Sequence, residues 1–352
     1  MAPSEDVETT QLQVLEVDPR DEQAFAAWFA VYDAAQKHDR PDEPAWLLHE
    51  QRSMSLDGVG PDPDTACVLL GAHDGDRLVG AARLELPQRD NLHLCEFELA
   101  VRPDARRRGV ARRLTAEVER RAREHGRTTL LGFADEPPGQ EGRSGNRAAA
   151  LALGYAVAQQ EVRRDIDLPL PAATVEEVER TCGPHATDYA LRVWKDGCPD
   201  ELVDDLAELM RQMSTDVPKD DTDWREEVWD AARVRRNEGL SLAMDRSWVA
   251  GGAVHEPSGR LVAFTTMGWP RSEPARAYQW ETLVSADHRG HRLGALVKLA
   301  ALQELSARSP GTRFITTWNA QENAPMIAVN DLLGARVHGR LVVLQKVLPT
   351  QG

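Results

Sequence analysis

Residues 98–111 read ELAVRPDARRRGVA, and residues 281–294 read ETLVSADHRGHRLG. In each stretch a short apolar segment leads into a turn rich in arginine and glycine, and a helical pattern follows. A glutamate precedes the basic turn by the same distance in both, because 106 − 98 and 289 − 281 are equal. The offset between the copies is constant (281 − 98 = 183 and 289 − 106 = 183). This repeat predicts two related domains in one chain.

The predicted elements around the two stretches follow the same order in both halves. Each half has a first strand, two helices, a hairpin, a strand that enters the basic turn, a helix, a further strand, a short helix and a last strand. The second of the two helices in the latter half is predicted over residues 224–237. Pro169 and Pro171 interrupt the pattern between the halves. We therefore predict an N-terminal domain over residues 1–166, a linker over 167–187 and a C-terminal domain over 188–352.

Composition limits the classes of protein that fit this chain. The 352 residues are 41% hydrophobic, which is enough for two buried cores. The net charge of −15 argues against nucleic-acid binding and slightly favours cationic or amine substrates. The four cysteines lack metal-binding spacing, and residues 1–10 are polar, so no metal site, disulfide framework, signal peptide or membrane span is predicted. These features predict a cytoplasmic protein.

The basic turns have the chemistry of a pyrophosphate site. The start of a helix presents unpaired N–H groups and partial positive charge, and a small residue there lets an anion approach the backbone. The arginines add formal charge. A single match of this kind is as readily a solvated helix start, but two matches in the same strand–turn–helix setting favour phosphate binding. Nucleic-acid binding by residues 106–123 is the other alternative, which Glu117, Glu119 and Glu124 oppose.

With these motifs the chain resembles the GNAT superfamily of acyl-CoA N-acyltransferases in a tandem-domain form. Arg106-x-x-Gly109-x-Ala111 satisfies the family signature, whereas Arg289-x-x-Arg292-x-Gly294 departs from it at the first glycine. The resemblance implies an α/β (α+β) fold of two GNAT-like domains, each a mixed, mostly antiparallel sheet flanked by helices with a splayed central strand pair. It also implies acetyl-CoA as co-substrate.

The resemblance places the cofactor on the strand ends and the turns of both copies. In the first copy the implied contacts are Leu99, Ala100, Val101, Arg106, Arg107, Arg108, Gly109, Val110, Ala111 and Arg112. In the second copy they are Leu283, Val284, Arg289, Gly290, His291, Arg292, Leu293, Gly294 and Ala295. Asn319 and Asn323 follow the splayed strand of the second copy, where the family often binds cofactor or substrate, and Asn323 also suits a helix N-cap.

Transfer of an acyl group to an amine needs a base, a polarised carbonyl and a departing thiolate. Glu98 and Glu281 occupy matching strand positions and are the candidate bases, with an outward-facing strand glutamate as the alternative. The tyrosine that often protonates the thiolate in this family is absent, because the corresponding positions are Ala150 and Asn330. Tyr278 and a water molecule are the candidates that remain.

The second half has the richer acceptor side. Residues 318–323 are compact and polar, whereas the matching residues 135–145 are longer and rich in proline and glycine. We therefore expect the C-terminal domain to transfer an acetyl group to the primary amine of a small molecule, in a monomer or homodimer. The alternative is a non-catalytic tandem protein that binds acyl-CoA.

Overall fold

The computed structural model describes residues 12–41 and 45–349, so the polar start of the chain and the outer ends of both predicted domains lie outside the described residues. The chain forms two compact units. Of the described residues, the first unit comprises 12–41, 45–88, 92–132 and 346–349, and the second comprises 89–91 and 133–345.

The first unit is a mixed sheet with three helices. Its strands lie in chain order, and all described pairings are antiparallel except the parallel pair β4–β5. The strands are β1 (Gln13–Val17), β2 (Thr65–Asp74), β3 (Arg77–Pro87), β4 (Leu94–Val101) and β5 (Thr129–Glu136), of which residues 129–132 belong to this unit. The helices are α1 (Glu22–Asp39), α2 (Leu48–Gly58) and α3 (Val110–Glu124). Phe25, Trp28 and Val31 of α1 form a core with Leu69 and Ala81 of the sheet.

The second unit has a sheet in the order β12-β6-β11-β10-β9-β8-β7, in which only β10 and β11 form a parallel pair. The strands are β6 (Ala156–Asp167), β7 (Tyr189–Lys195), β8 (Arg246–His255), β9 (Arg260–Pro270), β10 (Arg276–Val284), β11 (Phe314–Ala320) and β12 (Arg336–Val347), of which residues 336–345 belong to this unit. The helices are α4 (Gly145–Ala152), α5 (Ala172–Cys182), α6 (Val203–Asp216), α7 (Ala231–Ala243), α8 (Leu293–Arg308) and α9 (Ala324–Leu332).

Helices cover both faces of the second sheet, and the alternation of β9 identifies each face. Phe264 packs with Leu206 of α6 and Val234 of α7, which defines the α6 face. Met267 packs with Leu296 and other residues of α8, which defines the α8 face. Since successive strand residues point to opposite faces, Thr266 lies with Phe264 on the α6 face, and Thr265 lies with Met267 on the α8 face.

The predicted class of fold is confirmed: each unit has a mixed, mostly antiparallel sheet flanked by helices. The helix predicted over residues 224–237 is wrong at its start. It begins at Ala231, because Asp230 has extended backbone and its side chain accepts a hydrogen bond from the N–H of Arg233, as an N-cap does.

The stretch predicted as a linker contains helix α5, whose Val178 packs on α8. Strand β6 belongs to the second unit, where it pairs with β11 and β12. The domain limits 1–166 and 188–352 were drawn from the repeated order of elements, and they remain a prediction. No helix in the described part of the chain is long and apolar enough to cross a membrane.

Candidate active site

The two basic turns have the same backbone conformation although their glycines differ. In the first turn Arg107 and Gly109 have φ values of 65° and 84°. In the second turn Gly290 and Arg292 have φ values of 89° and 57°. Each turn therefore has two left-handed positions, two residues apart, and glycine occupies one of them in each copy. The missing glycine of the second signature leaves the turn intact.

Helices α3 and α8 begin directly after these turns, at Val110 and Leu293. The first N–H groups of a helix have no acceptor within it, and the helix dipole favours an anion at that end. The side chains of Arg107, Arg108 and Arg112 are exposed around the first turn. Both turns thus fit the pyrophosphate of acyl-CoA, and the first carries more free cationic side chains.

The first arginine of each turn fixes the loop. Arg106 donates to both carboxylate oxygens of Asp39, at 2.6 and 2.8 Å, and to the carbonyl oxygen of Val101. Arg289 donates to Asp216 at 2.6 Å and to the carbonyl oxygen of Val284. Asp39 and Asp216 are the last residues of α1 and α6. In both copies this arginine therefore joins the end of the strand to the end of a helix.

A histidine cluster adjoins the second turn. The Tyr189 hydroxyl lies 3.0 Å from Nδ1 of His288, and its ring lies 5.1 Å from that of His291. The rings of His255 and His288 are 4.8 Å apart. Burial and the neighbouring His255 lower the pKa of His288. Nδ1 of His291 also lies 3.0 Å from the carbonyl oxygen of His185, so this ring is partly engaged by the protein.

Strands β10 and β11 separate beyond a short parallel pairing. They pair at 276–278 with 314–316 only, although β10 continues to Val284 and β11 to Ala320. In the same region β10 has a bulge against β9, where Trp280 and Glu281 stand opposite the single residue Thr266. A bulge leaves backbone groups outside the ladder and often lies beside an active site. The register of β3 and β4 in the first unit has no such shift.

Glu281 stands on this bulge and has the properties of a base. Its carboxylate accepts a hydrogen bond from the hydroxyl of Thr266 on the α6 face. Its pKa is raised to about 7, and burial is the largest cause. The Thr266 hydrogen bond lowers the pKa and the charge of Glu227 raises it, and the value of about 7 is the net result. A carboxylate with a pKa near the working pH takes up a proton efficiently.

Glu98, the matching residue of the first copy, has a different neighbour. It stands opposite Arg83 in the β3–β4 register. Arg83 is the counterpart of Thr266, because the two positions differ by the same offset of 183 (83 + 183 = 266). Arg83 is buried and bonded to Gln51 and Glu85. Burial lowers the pKa of Arg83, but the charges of Glu85 and Glu98 outweigh burial, so the pKa of this guanidinium is raised overall. Glu98 therefore stands opposite a buried cation, whereas Glu281 stands beside a neutral hydroxyl.

An aromatic group lies on the same face as Glu281. The ring of Tyr278 is stacked on Trp318 with centroids 6.1 Å apart and lies 5.8 Å from Trp280, whose side chain is 45% exposed. The guanidinium of Arg246 lies 5.4 Å from the Trp280 ring and 5.9 Å from the Tyr278 ring. Tyr278 therefore belongs to this aromatic group, on the side of the proposed base.

Further carboxylates lie around the splayed strands, one on β6 and two in the segment before α7. Glu161 of β6 is in register with Ala320 of β11, and Asp220 and Glu227 precede α7. Burial and then the charge of Asp220 raise the pKa of Glu161 to about 7. The charge of Glu227 likewise raises the pKa of Glu281, and the guanidinium of Arg246 brings a positive charge to the same face.

The other predicted residues occupy several environments. Asn323 caps α9, since its side chain accepts from the N–H of Met326 at 3.2 Å. Asn319 is buried beside Asn330. Five of the predicted acyl-CoA contacts have buried apolar side chains and can offer only their backbone to a ligand. They are Ala100, Val110, Leu283, Leu293 and Ala295. The predicted contacts to acyl-CoA stay predictions.

Sequence reasoning missed two residues of this site, Thr266 and Glu161. For Thr266 the signal existed, because the constant offset of 183 aligns it with Arg83 and shows that the neighbour of the glutamate changes. In the described residues no group of three or more histidines, cysteines or carboxylates could hold a metal ion.

Comparison with known proteins agrees with this architecture. Residues 25–140 match the family described as acetyltransferase (GNAT) family. A mycothiol acetyltransferase of Rhodococcus opacus is 26% identical over 82% of this chain and 84% of its own length, and that of Rhodococcus jostii is 27% identical over 79% and 82%.

A solved tandem GNAT protein from the clavulanic acid biosynthesis pathway has a TM-score of 0.77 and 28% identity, covering 97% of this chain and all of its own. A GCN5-related N-acetyltransferase from Sphaerobacter thermophilus shares the fold, with a TM-score of 0.61 and 17% identity over 97% of each chain. Residues 25–140 are thus a domain of the acetyltransferase (GNAT) family, and the chain is an acyltransferase. Its plan is that of a tandem GNAT protein, with a second GNAT-like domain after the first.

Proposed function

We propose that the chain is an N-acetyltransferase that moves an acetyl group from acetyl-CoA to a primary amine of a small molecule, with the C-terminal domain as the catalytic one. The observation that carries the proposal is the contrast between the matched glutamates. Glu281 lies on a strand bulge beside a neutral hydroxyl and has a pKa of about 7, whereas Glu98 stands opposite a buried arginine.

In this mechanism Glu281 takes a proton from the attacking amine, directly or through water. The bulge at 280–281 frees backbone N–H groups that polarise the thioester carbonyl. The turn at 289–292 and the start of α8 hold the pyrophosphate, so that the acyl group reaches the gap between β10 and β11. The reaction is a direct attack in a ternary complex, in which positioning supplies much of the rate.

The acceptor side favours a cationic amine. Its carboxylates are Glu161, Glu227 and Glu281, which outnumber the one guanidinium, that of Arg246, beside the Trp280 and Tyr278 rings. We therefore expect di- or polyamines and amino sugars to react faster than amines that carry a carboxylate or phosphate. The names of the relatives fit a small amine acceptor but do not select one here.

The test combines calorimetry with acetyl-CoA and an assay of CoA release across an amine panel. We expect acetyl-CoA to bind and at least one cationic amine to be acetylated. Glu281→Gln should lower kcat by about 10²- to 10⁴-fold, the usual contribution of a general base. Glu98→Gln is the matched control from the first copy and should retain activity.

Three outcomes would contradict the proposal. Absence of acetyl-CoA binding at millimolar ligand would remove the donor. Activity that survives in Glu281→Gln but is lost in Glu98→Gln would move catalysis to the first copy. Binding without CoA release across the panel would indicate a non-catalytic acyl-CoA-binding protein. The stoichiometry of the titration shows whether one or both turns hold a donor.

A further inference from the structure

The histidine cluster beside the second basic turn gathers three imidazole rings and a phenol from distant parts of the chain. Tyr189 begins β7, His255 ends β8, His288 ends the short helical turn after β10, and His291 lies in the basic turn itself. The Tyr189 ring lies 5.3 Å from that of His255 and 5.7 Å from that of His288. His291 is exposed, and the other three side chains are half-buried. Groups that can change their charge near neutral pH therefore lie next to the start of α8.

The hydrogen bonds of these rings allow them to gain and lose a proton in place. Nδ1 of His291 faces a carbonyl oxygen, which only accepts, so this nitrogen carries the hydrogen and Nε2 is the atom that titrates. Nδ1 of His288 faces the Tyr189 hydroxyl, and Nδ1 of His255 lies 2.9 Å from the Ser258 hydroxyl. A hydroxyl can donate or accept, so both contacts persist in either protonation state.

The charged groups around the cluster come from every segment that meets there. Burial, His255 and His291 lower the pKa of His288, and the charge of Asp287 raises it, with a net lowering. His288 is therefore mostly uncharged at pH 7 in the free protein. The first turn of α8, residues 293–296, contributes no charged side chain. The other titratable or charged side chains of the adjoining segments are His185, Asp188, Glu256, Arg292, Arg260, which is paired with Asp205, and Arg289, which is paired with Asp216.

The first copy has no such cluster. The offset of 183 places Ala72, Ala105 and Arg108 at the positions of the three histidines. Both alanines are buried, and Arg108 is exposed at the first turn. An arginine stays protonated at every pH at which the protein is folded. The first turn therefore carries permanent charge where the second carries charge that depends on pH.

On the basis of the proposed function, we propose that donor binding at the second turn is coupled to a proton, which the histidine cluster takes up as the phosphates of acyl-CoA bind. A nearby phosphate favours the charged form of an imidazole ring, and the imidazolium attracts the phosphate in return. The coupling acts through the electric field at the turn, so it requires no ring to touch the ligand. The affinity of the second turn for its donor therefore depends on pH, and that of the first does not.

The direction of this pH dependence follows from proton linkage. The complex holds more protons than the free protein around the ordinary histidine pKa of about 6.5, so affinity is greatest at acidic pH and falls as the pH rises. With about half a proton taken up, Kd should increase roughly three- to tenfold between about pH 6 and pH 7.5. The phosphomonoester of CoA, with a second pKa of about 6, loses a proton beside a cationic turn, so the ligand contributes with the opposite sign.

The experiment is a calorimetric titration of the full chain with acetyl-CoA, in buffers that differ in ionisation enthalpy. At about pH 6.5 the dependence of the heat on the buffer gives the number of protons taken up, and we expect about 0.3–1 per chain. A donor at the first turn adds heat but no such uptake, because its charges are arginines. No acceptor amine is needed.

The main variant combines His255→Gln, His288→Gln and His291→Arg, the last of which copies Arg108. It keeps polar side chains and a positive charge but removes titration, so the uptake should fall close to zero and Kd should be equal at both pH values. His125→Gln is the matched control, because His125 is an exposed residue at the opposite end of α3 from the first turn. This control should retain the uptake. If the combined variant fails to fold, His291→Arg alone changes one exposed side chain and should lower the uptake.

Two results would overturn the proton coupling and leave the proposed function standing. One is binding of acetyl-CoA to the unaltered protein with the same heat in all buffers and a Kd that does not change with pH. The other is an uptake that persists in full in the folded histidine variants, which would place the proton elsewhere. Failure of acetyl-CoA to bind the unaltered protein would overturn both proposals.

Discussion

At the scale of the residue, the two basic turns exchange a glycine and an arginine between two left-handed positions. Arg107 and Gly109 in one copy correspond to Gly290 and Arg292 in the other. A non-glycine residue in this conformation costs roughly 1–2 kcal/mol. Each turn carries that cost once, so the family signature can lose its glycine without losing the shape of the turn.

A swap of these residues tests this account. We expect Gly290→Arg alone to destabilise the protein by about 1 kcal/mol, because both left-handed positions then carry side chains. The double substitution Gly290→Arg with Arg292→Gly copies the first turn and should restore both unfolding temperature and acetyl-CoA affinity. Chemical denaturation and calorimetry provide the readouts. A double variant no better than the single one would show that the turns differ in shape.

The raised pKa of Glu281 also predicts a pH-dependent stability. The pKa in the folded state is about 7, and the reference pKa is 4.5. Between these values the folded state binds more protons than the unfolded state, so this contribution to stability is complete below about pH 4.5 and is lost as the pH rises through 7. A tenfold difference in proton affinity between the two states corresponds to about 1.4 kcal/mol.

Glu281→Gln removes this contribution. Relative to the unaltered protein, the variant should therefore become more stable by about 1–3 kcal/mol between pH 4.5 and pH 8. Urea denaturation at several pH values measures the difference, and Glu98→Gln serves as the comparison. A difference that is constant with pH would contradict a raised pKa for Glu281.

At the scale of the element, the bulge in β10 and the residue opposite it decide what the glutamate does. Thr266 on β9 donates a hydrogen bond to the Glu281 carboxylate, whereas Arg83 on β3 presents a cation to Glu98. The same strand position thus has a neutral hydroxyl beside it in one hairpin and a buried cation opposite it in the other. The difference arises from one cross-strand neighbour and a single extra residue.

Thr266→Val should change the pH profile of the reaction. The Thr266 hydroxyl lowers the pKa of Glu281, so its loss should move the acid limb of kcat/KM to higher pH. The rate at neutral pH should fall roughly three- to tenfold, because raising the pKa by about one pH unit lowers the fraction of ionised base up to tenfold. At high pH the variant and the unaltered protein should converge. A uniform loss at every pH would indicate a role in packing alone.

The packing of α8 on β8 depends on a glycine. A Cβ atom on Gly251 would lie 2.3 Å from the carbonyl oxygen of Val297, so the helix backbone lies directly on this strand. Gly251→Ala must displace the helix, and we expect a loss of about 1–3 kcal/mol in the free energy of unfolding. Since α8 starts at the basic turn, acetyl-CoA affinity should fall as well. Gly239→Ala, which has open space around its Cβ, is the control.

At the scale of the whole molecule, the two copies have become unlike. The first keeps the regular signature and exposed arginines at its turn. The second has the bulge, the raised pKa of Glu281, the aromatic group and the buried lysine Lys298. These features suit two units that share an ancestral fold and divide its tasks.

Ligand-induced stabilisation should reveal this division. A ligand that binds only the folded state stabilises it by about 2.7 kcal/mol at a hundred times its Kd. We expect acetyl-CoA to raise the unfolding temperature, and Arg292→Glu to weaken that effect together with activity. Arg108→Glu, a charge reversal at the neighbouring position of the first turn, should leave catalysis intact. Loss of activity in Arg108→Glu alone would place the working donor site in the first copy.

The repeat, the order of elements and the class of acyltransferase followed from the sequence, because strand and helix periodicity and a phosphate-binding turn are local patterns. The start of α7 was mispredicted, since Asp230 caps the helix after an extended segment. Only the tertiary structure showed which side chains meet across strands and helices. Thr266 beside Glu281, Asp39 on Arg106 and Lys298 on Asn330 are contacts between distant residues. Burial and the Thr266 hydrogen bond act on the pKa of Glu281, and burial lowers the pKa of Lys298, and periodicity carries no record of these effects.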